Sequence, residues 1–115
     1  ANAQVSQSSW YCPVSAKFDA NRSYSSEELE RGQFSVRIAE TATGATLQRC
    51  SYVASANRVT CDAYSVDRIE RAPHIGVRKY YVFAGQFDVQ VFADGRFVEN
   101  NGRGSVAFGH CSSLN

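Results

Sequence analysis

The chain is poor in proline, with two residues, and has no low-complexity tract and no apolar run near the roughly 20 residues of a membrane helix. Neither a disordered segment nor a helical membrane protein is therefore expected. Signatures of catalytic chemistry are missing as well. There is no Cys-x-x-Cys pair and neither histidine stands at ligand spacing, which argues against a zinc site. Gly-x-Ser-x-Gly is absent, and Gly102 and Gly104 lack the Lys-Ser/Thr that completes a phosphate loop, so no nucleophile motif, cofactor or metal is expected. Charge of either sign is in small excess: ten Arg and two Lys oppose five Asp and six Glu, for a net +1. That excludes the global positive field that drives non-specific nucleic-acid binding.

What the chain does have is 115 residues, 43% of them hydrophobic, with one Trp, six Tyr and seven Phe. This describes a single packed domain over residues 1–115 that leans towards β structure, with residues 1–9 read as a flexible N-terminal arm. A core of this size leaves a modest stability margin, so covalent ties matter. Four cysteines, Cys12, Cys50, Cys61 and Cys111, allow three pairings. Cys50 and Cys61 flank a hairpin-length segment, which leaves Cys12–Cys111 to join the two ends. Two disulfides imply an oxidising compartment. The opening Ala1-Asn2-Ala3-Gln4 reads either as what a small-x-small cleavage site leaves behind or as a cloning remnant. A secreted, processed monomer with no membrane partner is the expectation.

Local signals are clearest at Tyr24-Ser25-Ser26-Glu27-Glu28-Leu29, where Ser25 and Glu28 make a capping box and Tyr24 and Leu29 a hydrophobic staple, so a helix begins near residue 26. Its end stays open. Gly32 would stop it after two turns and release Phe34, Val36 and Ile38 into a strand; otherwise it runs on to Thr43-Gly44. Residues 47–53 and 58–64 read as strands joined by Ala54-Ser55-Ala56-Asn57, which sets Cys50 opposite Cys61. Residues 67–76 read as a charged loop before a strand over 78–83. Phe87, Val89 and Val91 alternate, Asp94-Gly95 is a hairpin turn, and a glycine-rich loop at 100–104 leads to a last strand ending at Cys111. One early helix packed on an antiparallel β-sheet makes an α+β domain.

These residues resemble the small secreted guanyl-specific ribonucleases of fungi and, more narrowly, the ribonuclease-like effectors of cereal mildew fungi. The resemblance rests on Tyr11-Cys12 near the start, Tyr24-Ser25-Ser26 before acidic residues, and Ser51-Tyr52-Val53-Ala54-Ser55-Ala56-Asn57 where the enzymes carry a Ser-Tyr-Pro-His-x-Tyr-Asn strand. Lys79-Tyr80-Tyr81-Val82-Phe83 and the closing Phe108-Gly109-His110-Cys111 complete it. The Cys50–Cys61 pair departs from both patterns. The resemblance implies a ribonuclease-like fold whose chemistry needs a histidine and glutamate as base, an arginine on the phosphorane, and a histidine acid. Here the first histidine position is Ala54. In one register the others become Val82, Val89 and Asn100; in the other they fall near Asp62, Tyr80 and Phe92. Tyr52 and Phe108 alone carry over, so the resemblance implies a fold without the activity.

A local alternative joins His74 to Glu70 and Arg71, though a solvated loop histidine is the plainer reading. His110 reads as a surface or capping residue. Trp10 is open between a partner contact and packing under the terminal disulfide. Tyr52, Tyr64, Tyr80 and Tyr81 are either base-stacking rings or core and cross-strand packing. Charge is concentrated between residues 45 and 80, where Arg49, Arg58, Arg68, Arg71, Arg78 and Lys79 oppose Asp62, Asp67 and Glu70. Recognition is expected on Arg68, Arg71, His74, Arg78, Lys79 and Tyr80, with the Asn100–Gly104 loop as the second choice. The expected function is that of a secreted effector of a fungal plant pathogen, recognisable as an avirulence protein, which binds a host plant protein, an immune receptor or RNA. Two rivals are an active secreted ribonuclease and an unrelated disulfide-tied β-rich binding or toxin protein, which a helix not packed across the sheet would favour.

Overall fold

In a computed structural model the chain is described over residues 8–114. The first strand, β1 (Ser8–Asp19), is the longest. A bulge between Val14 and Ala16 turns it, so that its first half pairs with β3 (Ser35–Thr41) and its second with β10 (Val106–His110). β3 continues through tight turns into β4 (Gly44–Val53) and β5 (Arg58–Ser65), a meander in which Leu47 stands between Ile38 and Tyr64. A second meander comprises β6 (Arg68–Ala72), β7 (Val77–Val82), β8 (Phe87–Val91) and β9 (Arg96–Asn100), and β10 closes it. Two-residue strands β2 (Arg22–Ser23) and β11 (Ser112–Ser113) pair with β1.

The spatial order is β5-β4-β3-β1-β10-β9-β8-β7-β6. The outermost strands, β5 and β6, are consecutive in the chain with only Val66 and Asp67 between them. That short link forces the sheet to curl until its margins approach. Val66 N–H donates to Ala45 O at 3.0 Å and Asp67 N–H to Tyr81 O at 2.9 Å, which holds the curl as a half-barrel. Its interior is filled by period-2 alternation from both meanders: Val36, Ile38 and Leu47 face Tyr80, Val82, Phe87, Val89, Val91 and Phe97 around Cys12. Two disulfides are present. Cys12–Cys111 joins residues 99 apart with Cα atoms at 4.0 Å, and Cys50–Cys61 links two residues directly opposite in the β4–β5 register.

The expected α+β fold, with a helix packed on the sheet in ribonuclease fashion, is overturned. Among the described residues strand accounts for 63% and helix for 7%. α1 (Ser26–Gly32) starts as expected: Ser25 Oγ accepts from Glu28 N–H at 3.2 Å, and Glu28 Oε1 from Ser25 N–H at 3.0 Å. It then stops at Gly32, with Gln33 in the left-handed region at φ 46°, and buries no residue. Seven residues carrying Glu27, Glu28, Glu30 and Arg31 offer no apolar stripe for a sheet to cover, so the helix stays at the margin. Val36 and Ile38 go to β3 and reach the core, while Phe34 stands just before the strand. Half of the expected charged loop at 67–76 is strand β6, turned by Pro73–Gly76 with Gly76 at φ 69°. Of the expected N-terminal arm, residues 1–7 lie outside the described residues, while Ser8 and Ser9 pair with Glu40 and Ala39.

Candidate functional site

β7 alternates: Tyr80 and Val82 point into the half-barrel with Arg78, while Lys79 and Tyr81 point out. β6 follows in register. Ile69 stands beside Tyr80 and Arg71 beside Arg78, whereas Arg68 faces Tyr81 and Glu70 faces Lys79. The β6–β7 hairpin thus presents two chemically different faces, and five of the six expected recognition residues divide between them, with His74 in the turn.

On the outer face Tyr81 is the centre. Its hydroxyl donates to Glu70 Oε1 at 2.6 Å, Arg68 Nη2 reaches Glu70 Oε2 at 2.6 Å, and the Arg68 and Lys79 charges lie 5.9 and 5.0 Å from the Tyr81 ring centroid. The Tyr81 hydrogen bond, seconded by Arg68 and Lys79, holds the Glu70 carboxyl below its ordinary range. Two cations and one carboxylate around a ring leave this face weakly positive. The hairpin tip carries exposed Pro73 and His74 and an isoleucine, Ile75, that is 61% exposed.

On the inner face Tyr80 is fully buried, at 0% exposure, so its ring meets no partner. Its hydroxyl donates to Glu40 Oε1 at 2.8 Å, and Arg71 forms an ion pair with Glu40 Oε2. Burial pushes the Tyr80 hydroxyl up, against the opposing pull of Arg78 and Arg71. Arg78 stacks over Trp10, 4.3 Å from the ring. Trp10 therefore packs on the core margin beside Arg78. Glu40, absent from the sequence-level set, is the hub here; its legible signal is a carboxylate at the next inward position after Val36 and Ile38 on β3. At the opposite end of the interior Arg49 Nε stands 2.6 Å from the buried Glu99 Oε2, a close ion contact outside hydrogen-bond alignment, with the guanidinium over Phe87 at 4.4 Å.

The positions that the ribonuclease registers require do not assemble into one site. Ala54 lies exposed in the β4–β5 turn, where Tyr52 donates to Asn57 Oδ1 at 2.5 Å, while Val82 and Val89 are core. Phe108 is on the outer face against Phe18, their rings 5.9 Å apart. The His74, Glu70 and Arg71 group is split by strand alternation, since Glu70 faces outward and Arg71 inward. His110 pairs in register with Arg96, near Gly95. Tyr64 packs edge-on to Phe87 at 5.0 Å. Among the described residues no three His, Cys, Asp or Glu side chains converge as a metal site would need. Comparison of the chain with family models, curated proteins and solved structures gives no match.

Proposed function

We propose that this chain is a secreted, disulfide-tied β-rich binding protein without catalytic activity, which recognises the acidic surface of a protein partner through the outer face of the β6–β7 hairpin. The observation that carries this is the composition and place of that face. Among the described residues β6 has a strand partner on one side only, and beside this margin Arg68, Tyr81 and Lys79 stand together with Ile75 exposed at the tip. Arg and aromatic side chains with an apolar anchor are the composition of binding hot spots. Charged edge strands also guard against strand-to-strand association, and the test separates that role from recognition.

The test is a titration of a fluorescent poly-glutamate peptide, and in parallel of oligouridine, at low and at physiological salt. Wild type is expected to bind the acidic peptide. Arg68→Ala with Lys79→Ala should weaken it about tenfold, a change of about 1.4 kcal/mol, without altering the monomeric elution volume. A variant that binds equally well but self-associates would assign these charges to edge protection. Tighter binding of oligouridine, with a steep salt dependence, would assign the face to RNA. Turnover of a fluorogenic guanosine-containing RNA by the wild type would overturn the non-enzymatic reading.

A further inference from the structure

Between the β6–β7 hairpin and strands β1 and β3, Arg71, Arg78, Glu40 and Trp10 line a cavity of about 340 Å³ together with Ser8 and Thr41. Its charges do not balance. Two guanidinium groups meet one carboxylate, and that carboxylate is already engaged on both oxygens, by Tyr80 on Oε1 and by Arg71 on Oε2. Arg78 takes no part in this pairing. Its Nε is shielded from solvent and has no hydrogen-bond partner among the described residues, while its guanidinium carbon lies over the Trp10 ring, 4.3 Å from the centroid. An orphaned charged donor is costly, and a guanidinium offers a fork of donors matched to a planar or tetrahedral oxyanion. A stacked guanidinium has already lost most of its rotamer freedom, so less is lost on binding. The volume equals that of about ten liquid waters, room for an oxyanion and a part of the group that bears it.

We propose that this cavity is a binding site for an oxyanion group, a carboxylate or a phosphate, held by Arg78 with Arg71 beside it and Trp10 as its wall. Glu40 limits the affinity by holding Arg71. The site lies on the opposite face of the hairpin from Arg68 and Lys79, so it stands or falls separately from the recognition surface proposed above.

Trp10 is the only tryptophan of the chain, so its fluorescence reports the cavity directly. The experiment titrates inorganic phosphate and, separately, acetate against the full chain, with sodium chloride at matched ionic strength as reference, and follows emission and melting temperature. A saturable emission change and a rise in melting temperature with an oxyanion but not with chloride are expected. Whichever of phosphate and acetate saturates at the lower concentration identifies the group. Arg78→Gln should abolish both responses, and Arg78→Lys should weaken them about tenfold by removing the fork. Glu40→Gln should act in the opposite direction and tighten binding, because it frees Arg71 and removes the competing charge; this keeps the proposal testable if Arg78 variants fold poorly. Responses equal to those of chloride, an unchanged response in folded Arg78→Gln, or weaker binding by Glu40→Gln would each overturn it. Loss of poly-glutamate binding on Arg68 and Lys79 substitution with the Trp10 response intact would confirm that the two sites are distinct.

Discussion

Replacing Cys12 and Cys111 together by alanine removes the bond that ties the middle of β1 to the residue just after β10 across 99 residues of chain. Replacing Cys50 and Cys61 removes a cross-link spanning 11 residues inside one hairpin. If disulfides act by restricting the unfolded chain, the first contributes about 4–5 kcal/mol and the second about 3 kcal/mol. A chain of 115 residues unfolds with an entropy near 0.24 kcal/mol/K, at about 2.1 cal/mol/K per residue, so the expected losses in melting temperature are about 20 °C and about 12 °C. Packing widens the gap. Cys12 is fully buried in the core and Cys111 nearly so, whereas Cys61 is exposed, so truncation of the first pair also opens a void. Against a total stability of about 5–15 kcal/mol, loss of Cys12–Cys111 leaves the fold marginal. Guanidinium titration and calorimetry of the two double variants decide the matter. A loss for Cys50→Ala/Cys61→Ala equal to or larger than that for Cys12→Ala/Cys111→Ala would refute the reasoning.

Stability should fall in alkaline solution because of Tyr80. Burial raises its folded pKa above the ordinary 10.0, so its contribution is complete below that value and is lost as the pH rises past it, when only the unfolded chain ionises; Tyr80→Phe should flatten this limb in pH-dependent thermal melts. At the acid end the carboxyls of Glu28, Glu70 and Asp94 are all lowered, by the Ser25 backbone bond, the Tyr81 hydroxyl and the Arg96 backbone bond respectively, so stability present above their ordinary range declines as the pH falls through it; a flat acid limb would contradict this. Glu99→Ala should cost about 2–4 kcal/mol in denaturant titration by stranding Arg49 over Phe87, whereas the joint change Arg49→Met/Glu99→Leu should cost less than the single one.

Much of the local structure was readable in the chain because its causes are local. Ser25 and Glu28 start a helix through three residues of geometry, Asp94-Gly95 turns a hairpin with Gly95 at φ 94°, and the spacing of Cys50 and Cys61 fits the β4–β5 register. The balance between helix and sheet was not. It depends on whether α1 has a face to bury, and on a two-residue link between β5 and β6 that curls the whole sheet, a relation between strands remote in the order of pairing. Strand β6 reads as loop because its inward positions are Ile69 and the charged Arg71, and a polar inward residue hides the alternation. The reason Arg71 points inward lies 31 positions away, at Glu40. The candidate residues share one hairpin, but their division between its two faces was not legible: strand alternation alone separates Arg68 and Lys79 from Arg71 and Arg78.

The central claim is that recognition belongs to the outer face of the β6–β7 hairpin. Amide chemical-shift mapping of isotope-labelled protein with an acidic peptide tests it most directly. The account predicts perturbations confined to Arg68, Glu70, Lys79 and Tyr81 and the 73–76 turn, reversed by salt. Shifts centred instead on the Asn100–Gly104 loop, or on Phe18 and Phe108 across the sheet, would contradict it.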